Sequence, residues 1–311
     1  MGLHVIVGSG PVGATVAGEL LARGEHVRVL TRSGTGADGT EKVRADAGDP
    51  ARMRELTAGA EAIYNCANPP YTSWTTDWPP IANALLAAAE ANGAVLATAG
   101  NLYVYGPVDT PMTETTPMRP SSVKGGVRAR MWRDALSAHE SGRARVTEVR
   151  GSDYLGSAPS LLSMMVLPKL LAGRTAMLPV DLDAPHTWTN PREMGRLLVL
   201  VATDPRGPGH VWHAPSAAPR SVRQLTADVA ALAGISSPKL RSLPGATLLV
   251  GGVFDKMIKE FREMNYQFRR PFVLDTSATE AVFDVTATPY EQTIAETLAF
   301  ARAEIAAANA K

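Results

Sequence analysis

The sequence predicts an α/β fold, a doubly wound parallel sheet followed by a smaller mixed domain, and three observations carry that prediction. Short apolar runs alternate with helix-period patterns through the first 150 residues. A glycine-rich turn joins the first run to the first helical pattern. Beyond residue 150 the alternation gives way to helical windows separated by proline-rich connections.

Leu3–Val7 is the first strand candidate, Val12–Arg23 the helix after it and His26–Leu30 the second strand. A third strand precedes Asp46, and Ala62–Cys66 and Val95–Thr98 supply the next two. Asp77-Trp78-Pro79-Pro80 reads as a helix start, after which Ile81, Leu85 and Ala88 or Ala89 share the face that docks on the sheet. A helix over 122–141 leads into a strand at Arg145–Val149, a sixth parallel-type unit. Residues 1–155 therefore form one domain, to which residues near 186–205 can contribute. Residues 156–311 form the smaller one, with helical windows over 160–172, 192–203, 221–234 and 246–262. Tyr290, Ile294, Leu298, Ala301 and Ile305, three and four apart, bury one stripe of a last helix.

Composition narrows the partners. Lys and Arg number 31 against 30 Asp and Glu, so no positive field gathers nucleic acid or an acidic membrane. The start MGLHVIVGSG has no basic segment before its apolar run, and apolar stretches elsewhere are broken well short of a span. Cys66, the one cysteine, cannot form an intrachain disulfide and suits a reducing compartment. A cytoplasmic protein with a small-molecule substrate is expected, and a homodimer is compatible with the sequence.

Gly8-Ser9-Gly10-Pro11-Val12-Gly13 follows the first strand and opens the first helix. Gly8 permits the tight turn, Gly10 lets backbone approach a pyrophosphate, and Gly13 lets helix and strand pack closely. Pro11 suits the first helical turn, and with Val12 it presents the helix N-terminus to the phosphates. This is the Rossmann fingerprint of a dinucleotide site. At the end of the second strand an NAD site usually places an acid on the ribose hydroxyls, but here stand Leu30-Thr31-Arg32-Ser33. A guanidinium flanked by two hydroxyls suits a 2′-phosphate, so NADP(H) is the expected cofactor. Asp46, with Ala47, either contacts the adenine or caps the helix near Pro50.

Ala99-Gly100-Asn101-Leu102-Tyr103-Val104-Tyr105-Gly106, with Glu114 and Pro120 after it, resembles the extended short-chain dehydrogenase/reductases, the epimerase/dehydratase group. Asp49, the turn Ala67-Asn68-Pro69, Arg150-Gly151-Ser152-Asp153-Tyr154-Leu155-Gly156 and His186-Thr187-Trp188 continue the likeness in order. The resemblance implies a Rossmann domain with a smaller C-terminal substrate-binding domain, a nicotinamide at the cleft between them, and cofactor contacts from Ala67 and Asn68. That family's redox chemistry uses a Tyr-x-x-x-Lys pair, in which the lysine lowers the tyrosine pKa. No tyrosine here has Lys four residues later, and Val123 and Val127 fall at the two positions. An atypical branch is implied, to which the family's acid/base roles do not carry over.

Tyr103, Tyr105, Asn101 and Lys124 remain near the expected nicotinamide: either tyrosine could replace the missing donor, and Lys124 could hold a ribose or substrate oxygen. Asp153 and Tyr154 follow the sixth strand, at the end where open α/β sheets bind ligands, and with His186 they are substrate candidates. Tyr71, Trp74 and Trp78 wall the cleft or cover the core. His210 and His213 lack a third ligand, so no metal is expected, and the stretch 263–271 reaches a substrate or a second subunit. Three functions fit: an NADP(H)-dependent oxidoreductase or epimerase-like enzyme on a small polar metabolite, a non-redox enzyme (elimination, cyclisation or isomerisation) on the same fold, and an NADP(H)-sensing binding protein.

Overall fold

A computed structural model describes residues 1–244 and 256–310. The chain sorts into two compact units. The first comprises Met1–Gly106, Pro117–Gly151 and Arg192–Ala214, and the second Pro107–Thr116, Ser152–Pro191 and Pro215–Lys311.

The first unit begins with β1 (Leu3–Val7), α1 (Pro11–Ala22), β2 (His26–Thr31), β3 (Glu41–Arg44), α2 (Pro50–Leu56) and β4 (Ala60–Asn65). It continues with α3 (Trp74–Asn92), β5 (Val95–Asn101), α4 (Val123–Glu140) and β6 (Arg145–Gly151). The chain then forms β7 (Asp153–Tyr154), α5 (Leu167–Leu171), β8 (Ala176–Leu178) and β9 (Trp188–Thr189) in the second unit. It returns to the first through α6 (Pro191–Thr203) and β10 (Val211–His213). α7 (Val222–Leu232), β11 (Leu240–Ser242), α8 (Lys256–Met264), α9 (Ser277–Phe283) and α10 (Tyr290–Asn309) complete the second.

Seven parallel strands make the sheet, in the order β10-β6-β5-β4-β1-β2-β3. The order reverses beside β1, as in a doubly wound Rossmann sheet. The seventh strand, β10, has no signature in the sequence: three residues are too few for a period to show, and pairing with β6 makes them a strand. Val5, Val7, Ile63, Leu96 and Val146 cover one face and pack with Met53 of α2, Leu85 of α3 and Trp132 of α4. One row nearer the strand ends that face turns polar. Asn65, Thr98 and Glu148 are register partners across β4, β5 and β6.

Helix α3 departs from the expected start at Pro79-Pro80, because it begins at Trp74 and runs through both prolines. Each proline removes the N–H that would meet the carbonyl four residues earlier, at a cost of about 3 kcal/mol in a helix interior. Those carbonyls belong to Thr75 and Thr76, both exposed, so water can satisfy them. Trp74 and Trp78 are 4% and 0% exposed, and burying roughly 200 Å² of each at about 25 cal/mol/Å² outweighs that loss.

In the second unit Leu155, Leu162, Trp188, Leu225, Phe268 and Leu298 form a separate core. The stripe on α10 is present through Ile294, Leu298 and Ala301, all buried. The window 160–172 is not a plain α-helix: Leu162–Val166 is a π-helical turn ahead of α5. Pro168 has no N–H for the Met164 carbonyl, which favours the wider turn. Of the window 246–262, residues 246–255 lie outside the described residues, and α8 covers the rest.

Candidate functional site

A groove of about 670 Å³ opens along the C-terminal ends of β1, β2 and β4. Gly8, Gly10, Thr31, Arg32, Ser33, Asp46, Ala67 and Asn68 all line it, so the sequence-predicted cofactor residues meet there. Three glycines build its floor for different reasons. Gly8 has φ +102°, and a β-carbon there would stand 2.5 Å from the Cys66 carbonyl. A β-carbon on Gly13 would stand 2.1 Å from the Gly8 carbonyl, whereas one on Gly10 would meet nothing within 4 Å. The fold therefore requires Gly8 and Gly13, and Gly10 keeps open a space beside the N-terminus of α1. A pyrophosphate fits that cradle, where the first amides of a helix await an anion. Pro11 takes the first helical position. Val12 is buried, so only its backbone can meet a ligand.

The end of β2 is more committed internally than its sequence implies. Thr31 Oγ1 donates to the Thr35 carbonyl at 2.9 Å and accepts the Thr35 amide at 2.8 Å, and Ser33 shares a 2.8 Å bond with the Thr35 hydroxyl. Arg32 is exposed and, among the described residues, has no ion-pair partner. Arg32 thus offers a cation at this end, with the hydroxyls closing its loop. Asp46 accepts from the Gly48 amide at 2.9 Å. The cap of α2 is Asp49, bonded to the Arg52 amide at 3.0 Å, in place of Asp46. Burial pushes the Cys66 thiol, at the groove wall, up to about 12.

Beyond Asn68 the chain turns through a 3-10 segment at Tyr71–Ser73 into α3, and a second cluster forms. The Tyr71 hydroxyl lies 3.5 Å from that of Tyr103. Lys124 is 2% exposed, and its ammonium stands 4.6 Å from the centre of the Tyr71 ring. Asn101 accepts the Tyr103 amide at 3.2 Å, fixing the turn that carries Tyr103. Trp74 proves to be support and not a ligand surface: its indole N–H donates to the Pro69 carbonyl at 3.2 Å, and its ring packs on Tyr71, Trp78 and Tyr103.

Arg128, absent from the residues the sequence singles out, completes this cluster. It is one helical turn beyond Lys124, and its guanidinium lies 4.1 Å from the Trp78 ring centre and 4.9 Å from that of Trp74. It also donates to the Ala99 carbonyl at 3.1 Å. The spacing of four from Lys124 puts both cations on one face of α4, which is the signal available in the sequence.

Tyr105 is a correction. It is fully buried, with its hydroxyl 2.7 Å from His213 Nε2 and the Arg150 guanidinium over its ring at 5.0 Å. Arg150 in turn donates to Glu148 at 2.6 Å. Burial opposes the Arg150 charge, but Glu148 and Tyr105 outweigh it and hold the guanidinium above its ordinary range. A tyrosine locked into this network cannot reach a ligand, which leaves Tyr103 as the tyrosine of the pair outside it.

Within the second unit, the buried His186 meets Asp153 Oδ2 through Nε2 at 2.9 Å and the Gln267 carbonyl through Nδ1 at 3.2 Å. The Ser152 hydroxyl lies 3.5 Å from the same Nε2, so both ring nitrogens are engaged within the second unit. The ring stacks on Phe268 at 4.9 Å. Tyr154 is half-buried beside Asp153 on β7. His210 and His213 serve packing and the Tyr105 bond, respectively.

Comparison with known proteins bears on both units. The profile of the NAD dependent epimerase/dehydratase family matches residues 5–213. No curated protein matches the sequence. The fold is similar to MoeE5 in complex with UDP-glucose and NAD, with 19% identity, 98% of this chain and 100% of that chain covered, and a TM-score of 0.79. It is similar to the dTDP-glucose 4,6-dehydratase of Bacillus anthracis str. Ames in complex with NAD, at 15% identity, 97% of each chain and a TM-score of 0.79. The UDP-glucose 4-epimerase of Thermus thermophilus in complex with NAD gives 17% identity, 96% of this chain and 99% of that chain covered, and a TM-score of 0.77.

Proposed function

The chain belongs to the NAD dependent epimerase/dehydratase family, and on that basis we propose that it is an NADP(H)-dependent enzyme of oxidoreductase or epimerase type acting on a small polar metabolite, with Tyr103 as its proton donor. What carries the proposal is the cluster of Tyr71, Tyr103 and Lys124, two phenols at 3.5 Å with an ammonium against one ring. It stands in a chain that has no Tyr-x-x-x-Lys pair. Tyr103 would give or take the proton of a substrate hydroxyl at its phenol oxygen, Tyr71 would pass it on, and Lys124 would keep positive charge beside the pair. Asn101 would hold the turn in place, and Asp153 and His186 would contact the substrate. When bound, the dinucleotide supplies the hydride chemistry, and Gly8, Gly10, the first turn of α1, Ala67 and Asn68 would hold it.

Arg32 favours the 2′-phosphorylated cofactor, since its charge has no internal partner among the described residues and no acid stands at the end of β2. The solved structures of similar fold were obtained with NAD, so cofactor choice is the most informative measurement. Wild-type protein should bind NADPH more tightly than NADH in a calorimetric titration. Arg32→Ala should weaken NADPH alone, by roughly 1–3 kcal/mol for a charge-assisted bond to phosphate. Equal affinities for the two cofactors would remove the NADP(H) assignment.

A further inference from the structure

Helix α3 has two open sides. Thr76, Asp77, Pro80 and Ile81 wall the dinucleotide groove, whereas Thr75, Pro79, Ala82, Asn83 and Leu86 wall a second cavity of about 630 Å³ shared with α4. The polar row of Asn65, Thr98 and Glu148 lines this cavity, and every lining residue belongs to the first unit.

A polar row in this place needs a reason. A sheet face beneath two helices is ordinarily apolar, as the preceding row of Ile63, Leu96 and Val146 is, and a polar row there must be met by protein, water or a ligand. Within the row, Asn65 Oδ1 accepts the Ala67 amide at 3.4 Å and Glu148 Oε1 accepts from Arg150 at 2.6 Å. Among the described residues, no protein group bonds the Asn65 amide nitrogen, the Thr98 hydroxyl or Glu148 Oε2, and none of the three atoms is sealed from solvent, so they are met by whatever fills the cavity. The register sets these three residues side by side, their backbones roughly 5 Å apart from strand to strand.

We propose that this cavity is a second small-molecule site, separate from the dinucleotide groove, for an uncharged planar heterocycle bearing an N–H donor. The donor is required because a carboxylate oxygen only accepts. Arg150 already neutralises Glu148, and Arg130 and Asp134 on the same lining carry opposite charges, so the cavity offers no net charge for an ionic ligand to match. Leu86, Val127, Met131 and Trp132 supply apolar walls for a flat ring, and the volume lies in the range of ligand pockets. A row spanning roughly 10 Å from Asn65 to Glu148 matches a fused two-ring system with an acceptor at one end and a donor at the other.

Theophylline and caffeine form a matched pair of two-ring heterocycles, since they differ by one methyl that replaces an N–H. Ligand-observed NMR should show theophylline binding with a Kd on the order of a millimolar and caffeine about tenfold more weakly. Gly126 lines the cavity, and a β-carbon there meets nothing within 4 Å, so Gly126→Leu should fill the space without clash. In that variant theophylline binding should vanish, with the melting temperature equal or higher and NADPH binding unchanged on the same samples. Absence of theophylline binding up to about 10 mM, equal affinity for caffeine, or binding retained in Gly126→Leu would each overturn the proposal. So would a wild-type dimer that Gly126→Leu dissociates, because a second copy would then be what covers the cavity.

Discussion

A β-carbon at Gly13 would stand 2.1 Å from the Gly8 carbonyl, and one at Gly10 would touch nothing within 4 Å, so the two glycines should fail differently when substituted. Gly10→Val is expected to abolish dinucleotide binding with a melting temperature near that of wild type, because the side chain enters only the ligand's space. Gly13→Val is expected to lose the fold itself, since backbone must move to admit it. A thermal melt paired with a titration separates the two, and retained binding in Gly10→Val would put the cofactor elsewhere. The tyrosines divide in the same way. Tyr103→Phe should lower turnover by about 10²–10⁴ on any substrate the wild type converts, with little change in cofactor affinity. Tyr105→Phe should instead cost about 1–3 kcal/mol of stability, because it removes the buried 2.7 Å bond to His213 Nε2. If Tyr103→Phe turns over at the wild-type rate, the proton comes from another group.

At the level of elements, what is legible in the sequence is what local signals encode. Leu3–Val7, the glycine turn and the helix after it follow from period and from backbone freedom, and all three are present. The start of α3 is misplaced by its sequence because a proline pair is a local stop-and-start signal, whereas the helix is held by Trp74 and Trp78 against Arg128, a contact made across 50 residues of chain. α4 hides its own face. Its inward side carries Lys124 and Arg128 along with Ala129 and Trp132, so hydrophobic periodicity cannot show that two cations point inward onto aromatic rings. The candidate site is legible in its glycines and Arg32 but not in its burial pattern. No spacing reveals that Tyr105 is sealed by His213, which lies 108 residues away.

For the molecule as a whole, one source of acid sensitivity is expected in a single strand. His4 on β1 is 1% exposed, with Nδ1 3.2 Å from the Tyr64 hydroxyl. Burial holds its imidazole below the ordinary range, offset in part by Glu25 and Glu61. The unfolded chain then takes up a proton on His4 at a higher pH than the folded chain does. Stability contributed by the neutral ring is complete above about pH 6.5, and it falls as the pH drops from there toward the lowered folded value. The slope is at most about 1.4 kcal/mol per pH unit for one proton. Urea unfolding of wild type and His4→Leu between pH 7.5 and 5 should show this slope in the first and its loss in the second. Identical pH dependence would assign acid sensitivity to other groups.

β10 joins the sheet beside β6 only through residues Val211–His213, and this gives synthesis a timetable. From Gly151 to His213 the ribosome must add roughly 60 residues, a delay of roughly 3–12 s at typical elongation rates. During that interval β6 is the outer strand of a growing parallel sheet, with its hydrogen-bonding edge available to any other extended chain. Charged side chains pointing inward from an edge strand discourage such pairing, and β6 carries two of them, Glu148 and Arg150. The ion pair buried in the finished sheet thus sits on the strand whose edge is completed last.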